Sequence, residues 1–101
     1  MANKRYILPL IPLRGLVVFP GMVLHFDVGR KTSMAAVEDA MANGALVMLS
    51  YQYDPLVEEP EKNDIAKIGV VAEVKQVLRL PGNNMRVLVE GLCRASITKY
   101  Y

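Results

Sequence analysis

The sequence has no tryptophan, one cysteine and one histidine. A lone Cys93 excludes an internal disulfide, and Cys93 with His25 falls well short of the four ligands that a structural zinc site typically takes. Such sparing use of cysteine fits a reducing compartment. Charge of either sign is also in short supply as an excess: 12 Lys and Arg stand against 10 Asp and Glu, a formal net charge of +2. The concentrated basic charge of a dedicated nucleic-acid binder is missing, so no nucleic-acid partner is expected.

Long apolar runs are missing as well. The uncharged stretch Gly15 to Leu24 is about half the ~20 residues that span a bilayer, and no membrane helix is expected. Lys4 and Arg5 before Tyr6 to Leu13 superficially resemble the start of a signal peptide, but Pro9, Pro12 and Arg14 break that pattern. No Arg- and Ser-rich leader is visible, which points to a bacterial cytoplasm rather than a mitochondrial matrix. There is no internal repeat and no low-complexity segment.

What is present is a globular composition, 52% hydrophobic and 22% charged over 101 residues. This is enough for one domain with a single aliphatic core and leaves no room for a second enzyme domain. Residues 6 to 28 read as two short extended segments separated by turns at Arg14, Gly15 and at Phe19, Pro20, Gly21. Pro9 cannot donate a ladder hydrogen bond, which places the first segment at a sheet edge. An Ala-rich helix is predicted over about 32–43, with Thr32 or Ser33 as its cap, Gly44 at its end, and an inward stripe of Met34, Val37 and Met41. Ala45 to Leu49 reads as a strand covered on both faces.

Asp54 to Asp64 carries five acidic residues interrupted by Pro55 and Pro60 and reads as an exposed loop. Lys67 to Leu80 alternates, with Ile68, Val70, Ala72, Val74, Leu78 and Leu80 assigned to one face. Pro81 to Asn84 is predicted to be a four-residue hairpin loop. Pairing Leu80 with Met85 then sets Leu78 opposite Val87, Lys75 opposite Glu90 and Arg79 opposite Arg86. Gly91 should break the strand, and a last extended segment contains Cys93, Ala95 and Ile97. That segment still reads as strand at residue 101, so 1–101 is expected to be one β-rich domain truncated at its C-terminal end.

Three segments, in order, carry a family resemblance: Pro9-Leu10-Ile11-Pro12-Leu13-Arg14 with Phe19-Pro20-Gly21-Met22; Val28-Gly29-Arg30 with Ser33; and Val87-Leu88-Val89-Glu90-Gly91-Leu92 with Arg94. Glu59-Pro60, Ile68-Gly69-Val70 and Leu78-Arg79-Leu80-Pro81 extend the match over nearly the whole chain. Together they closely resemble the N-terminal domain of Lon proteases. Gly15, where relatives commonly carry an acid, and His25-Phe26-Asp27 depart from the family pattern.

The resemblance implies an α+β, mainly β fold, a PUA-like pseudo-barrel of about six strands with one packed helix. It implies a non-catalytic domain that binds unfolded or damaged protein substrates. The full-length parent would be a homohexameric serine endopeptidase with a Ser-Lys dyad, using ATP and magnesium; no cofactor is implied for this fragment. A scaffold for hexamer assembly and a stand-alone PUA-like ligand- or RNA-binding module are the alternatives, the latter motivated by the resemblance in fold and by Arg79 and Arg86.

No catalytic or metal-binding residue is predicted. Arg30 intervenes between Gly29 and Lys31-Thr32, and Leu24 stands where a phosphate-binding loop needs its earlier glycine. That leaves an ordinary helix start able at most to attract an anion. His25 and Cys93 lack a third orienting group, and the acidic loop matches no calcium-binding spacing. The expected substrate-protein contacts are Pro20, Met22 and Leu24 at the first turn and Pro81 and Met85 at the hairpin, where soft methionines can adapt to varied partners.

Overall fold

The computed structural model describes residues 7–54, 56 and 60–98. Among them the chain runs β1 (Leu10–Leu13), β2 (Val23–Val28), α1 (Lys31–Ala42), β3 (Leu46–Tyr51), a 3-10 turn (Lys62–Asp64), β4 (Ile68–Leu80) and β5 (Asn84–Ser96). The five strands form one sheet in the order β1-β3-β4-β5-β2, with β1 parallel to β3 and all other pairs antiparallel. The fold is α+β and mainly β. Strand pairing does not close the sheet into the expected pseudo-barrel, which leaves a seam between β1 and β2, and the described residues form five strands rather than about six.

The missing sixth strand follows from Gly91. The expected break there does not occur, because β5 continues through it and pairs with β4 on both sides, Ala72 with Gly91 and Val71 with Cys93. Leu92 is the extra residue, so the interruption is a bulge, a local insertion that bends a strand without ending it. At the other end of the sheet β1 is an edge strand, as Pro9 indicated. Its backbone takes hydrogen bonds from β3, with Met48 N donating to the Pro9 carbonyl at 2.8 Å.

The β4–β5 hairpin corrects the predicted register by one residue. The loop is Pro81 to Asn83, and Leu80 pairs with Asn84, Leu78 with Arg86 and Val77 with Val87. Gly82 and Asn83 both take left-handed backbone angles, φ +81° and +61°, and those two residues let the loop close in three. A second irregularity, between Val74 and Gln76, inserts Lys75. One inserted residue moves every later side chain to the opposite face. The core face of β4 is therefore Val70, Ala72 and Val74 and then Val77, while Leu78, assigned inward from the sequence, is 51% exposed. Ile68, also assigned inward, lies at the start of the strand and is 63% exposed.

Helix α1 begins one residue earlier than predicted and lies over β1, β3 and β4. Its cap residue is Arg30, which makes no side-chain cap hydrogen bond; Thr32 and Ser33 lie inside the first turn. The buried stripe is Ser33, Val37 and Ala40, and Met41 is exposed. Two of those three side chains are small, which lets the helix lie close to the sheet. The end is as expected: Gly44 has φ +97° and Ala45 N donates to the Ala40 carbonyl at 2.7 Å.

Between helix and sheet, Ile11, Leu13, Val28, Val37, Val47, Leu49, Met85, Val87 and Val89 form one contiguous core. Strand β3 is buried on both faces, with Met48 and Ser50 on the reverse side, as its unbroken apolar run indicated. In the acidic segment, Glu61 and Asp64 cap the 3-10 turn reciprocally, and the Gln52–Ile65 bridge ties the segment back to the sheet. Pro55, Glu58 and Glu59, part of the predicted loop, lie outside the described residues.

Candidate functional site

The turn Phe19 to Met22 is held on the sheet by its own backbone. Met22 N donates to the Phe19 carbonyl at 3.1 Å, Gly21 N to the Gly91 carbonyl at 2.8 Å, and Gly91 N to the Met22 carbonyl at 2.8 Å. Gly21 takes the left-handed angle, φ +88°, that reverses the chain. The close approach needs Gly91: a β-carbon there would lie 2.5 Å from the Phe19 carbonyl oxygen. Gly91→Ala is expected to displace the turn and destabilise the chain by about 1–3 kcal/mol, in the range of other overpacking substitutions. A urea unfolding midpoint unchanged from the parent chain would contradict this.

Because the turn is anchored at Gly91, its apolar side chains gather beside the bulge. Phe19, Pro20, Met22 and Val23 are exposed, as is Leu92, the bulge residue that follows Gly91. Val17 is half exposed just before the turn, and Val18 between them is buried as the anchor. Phe19 N lies 3.2 Å from the Met22 sulfur, which fixes the two ends of the turn together. Several large apolar groups grouped on one exposed surface, rather than scattered singly, mark an interaction surface.

Of the five predicted contact residues, Pro20 and Met22 lie on this surface. Leu24 is only partly exposed and packs against the core. Met85 is 1% exposed and belongs to the core, which removes it from the candidates: it is directly paired with Val28 of β2, and its side chain points inward with Val87 and Val89. Pro81 is exposed but sits at the hairpin tip. Nine residues of chain lie between it and Gly91, and at about 3.4 Å per strand residue the tip is roughly 20–30 Å away, too far to share one patch. Phe19, Val23 and Leu92 were not singled out from the sequence. Leu92 had a signal, the glycine before it, but that glycine was read as a strand break.

Several charged groups on the sheet are paired. Asp27 accepts from Arg86 Nε at 2.9 Å and Nη2 at 3.4 Å across β2 and β5. Arg79 reaches Glu38 of α1 at 3.7 Å. Arg79 stands opposite Met85 and Arg86 opposite Leu78, so the two arginines lie on different faces and the predicted like-charge pair does not form. That removes the arginine pair as a motive for an RNA-binding reading. The expected Lys75–Glu90 contact is present at 3.3 Å, and Lys75 also meets Glu73 at 3.0 Å, bridging two glutamates that are register partners.

The hydrogen bond from Arg86 holds the Asp27 carboxyl below its usual pKa. A carboxylate with a lowered folded-state pKa contributes stability above its unfolded value, and that contribution is lost as pH falls through the folded value. The difference in urea midpoint between the parent chain and Asp27→Asn should accordingly stay constant at neutral and mildly acid pH and shrink only below about pH 4. A difference that shrinks already near pH 6 would contradict the pairing.

His25 and Cys93 are both exposed and stand far apart along β5, His25 opposite Leu88 and Cys93 opposite Val71. Among the described residues no three His, Cys, Asp or Glu side chains converge as a metal site would require. No described helix is long and apolar enough to cross a membrane. A cleft of about 260 Å³ lies between β1 and β2 at the start of α1, lined by Leu13, Arg14, Phe26, Asp27, Arg30 and Ser33 among others. In its wall Arg30 Nη2 donates to Oε1 of the fully buried Gln52 at 2.7 Å, and Gln52 Nε2 donates to the Asp54 carbonyl at 2.7 Å.

Comparison with known proteins places this geometry. The family model for the ATP-dependent protease La (LON) substrate-binding domain matches residues 7–101. The Lon protease of Clostridium acetobutylicum is 54% identical over 100 residues, 99% of this chain and 13% of that protein. Lon protease 1 of Bacillus subtilis is 50% identical over 93 residues, 92% of this chain and 12% of that protein. The chain thus spans about an eighth of the length of these relatives. Among solved structures, the N-terminal domain of the Mycobacterium avium complex Lon protease superposes with a TM-score of 0.72 at 25% identity, over 91% of this chain and 45% of that one. A Lon N-terminal domain protein from Xanthomonas campestris shares the fold, with a TM-score of 0.67 at 17% identity over 91% of this chain and 49% of the other. With a family model covering residues 7–101 and relatives at 50% identity and above, the chain belongs to the ATP-dependent protease La (LON) substrate-binding domain family.

Proposed function

We propose that this chain is the part of an ATP-dependent Lon protease that binds unfolded or damaged proteins, and that it does so through the apolar surface around the Phe19–Met22 turn. The observation that carries this reading is the grouping of exposed Phe19, Pro20, Met22, Val23 and Leu92 around the hydrogen bonds that fix the turn to Gly91. A folded protein keeps such side chains inside. An unfolded one exposes them, and their transfer from water onto a matching apolar surface is favourable by about 25 cal/mol per Å² of apolar area buried. A pliable methionine at the centre accepts many sequences.

The rest of the parent is proposed with it. Proteolysis by a Ser-Lys dyad, driven by ATP and magnesium, belongs to segments other than this one, and the setting is the bacterial cytoplasm. Single contacts of this kind are weak, and repeating the domain around a homohexameric ring converts weak contacts into useful avidity. The test is fluorescence anisotropy of a labelled polypeptide, permanently unfolded or natively folded, titrated with this chain. Saturable binding of the unfolded form alone is expected. Equal binding of both forms, or none, together with self-association of the chain in sedimentation, would overturn client recognition in favour of a scaffold role.

A further inference from the structure

Strand β2 leads directly out of the Phe19–Met22 turn, and among the described residues it pairs only with β5. Which of its peptide groups point to the unpaired side follows from one bond. Gly91 N donates to the Met22 carbonyl at 2.8 Å, one register step before the Val23–Glu90 pair. Residues of an antiparallel strand alternate between bonding to the partner and pointing away from it. Leu24, Phe26 and Val28 therefore turn their peptide groups to β5, and Val23, His25 and Asp27 turn theirs to the seam. Those three N–H and C=O pairs have no partner among the described residues.

The edge across the seam is blunted. The Pro9 and Leu13 carbonyls of β1 accept from Met48 and Gln52, which leaves Leu10 and Pro12 facing the seam, and Pro12 has no N–H. Strand β2 contains neither the proline nor the lysine with which sheets ordinarily protect an open edge. Its side chains offer purchase on both faces. Val23 is exposed and belongs to the apolar surface, while Leu24 and Phe26, on the other face, are partly buried against the core. The 260 Å³ cleft, with Leu13, Leu16 and Phe26 in its wall, lies at the far end of the strand.

We propose that an unfolded protein is bound here as an added β-strand. An extended stretch of about five residues runs along β2 and exchanges main-chain hydrogen bonds with Val23, His25 and Asp27. Its apolar side chains reach the Phe19–Met22 surface at one end and the seam cleft at the other. The inference rests on the proposed recognition at that turn and deepens it by naming the bound conformation. Main-chain bonds are alike for nearly every sequence, which gives breadth, and a folded protein has most of its own main-chain groups already paired, which excludes it.

The experiment measures amide hydrogen exchange of the chain by NMR, with and without an unfolded apolar peptide. A second peptide of the same sequence is N-methylated at two adjacent central residues, so that either register loses a donor. Slowed exchange at Val23, His25 and Asp27 is expected with the unmodified peptide, and at least about tenfold weaker binding of the methylated one. His25→Pro removes an edge N–H that bonds nothing in the sheet and should lower affinity by a similar factor, whereas His25→Ala should leave it unchanged. Equal affinity of the two peptides, with shifts at Phe19 and Leu92 but unchanged exchange at the three amides, would overturn strand addition and leave apolar recognition standing. No binding of either peptide would remove both. Slowed exchange on raising the protein concentration without peptide would assign the edge to a second copy of the chain and likewise overturn the proposal.

Discussion

Truncating Met85 to alanine is expected to cost about 2–5 kcal/mol of folding stability, the usual range for a buried methionine replaced by alanine. Met85 is 1% exposed and sits in the middle of the core, paired with Val28 on one side and Arg79 on the other. Alanine would leave a cavity lined by aliphatic side chains that a cross-bonded sheet cannot collapse to fill. Domains of this size are stable by about 5–15 kcal/mol, so the loss is a large share of the total. Urea unfolding measures it. Binding of an unfolded polypeptide, corrected for the folded fraction, should be unchanged, because the side chain does not reach the surface. A variant as stable as the parent chain but deficient in binding would put Met85 back among the contact residues.

The opposite pattern is expected at the turn. Replacing Phe19 and Leu92 together with aspartate should lower affinity for an unfolded polypeptide by at least tenfold. Burial of one large apolar side chain is worth about 1.5–3 kcal/mol, and each factor of ten in affinity takes about 1.4 kcal/mol. Both residues are about half exposed, so stability should fall far less than in Met85→Ala. Anisotropy and urea unfolding on the same preparations separate the two effects. Affinity equal to that of the parent chain would remove this surface from the proposal.

The contrast between these two variants also marks where sequence reasoning stops. The helix, the buried strand β3, the edge position of β1 and the β4–β5 hairpin were all legible, because periodicity, proline and glycine act locally. Register was not. Matching apolar with apolar favoured Leu78 opposite Val87, yet Gly82 and Asn83 close the loop one residue shorter and Val77 takes that place. A single inserted residue, Lys75, then reverses which residues of β4 face inward, and nothing in the alternation announces it.

The same parity governs the site. Met22 and Met85 are alike as residue types, and both follow a turn signal. Met22 ends 36% exposed because its turn lies flat on Gly91, and Met85 ends buried because it is the first inward position of β5. Gly91 shows the limit most clearly. As a residue type it indicated an interruption, whereas its function in the fold is to admit the Phe19 carbonyl where any side chain would collide. That contact joins residues far apart in sequence and creates the apolar surface.

The most direct measurement is an NMR map of this chain titrated with an unfolded, methionine- and aromatic-rich polypeptide, with the same polypeptide natively folded as control. Localised shifts at Phe19, Met22, Val23 and Leu92 with the unfolded form alone, and none at the Pro81 hairpin tip, are the predicted result. Shifts centred on the hairpin tip, or no shifts at millimolar polypeptide, would contradict recognition of unfolded protein by the Phe19–Met22 turn.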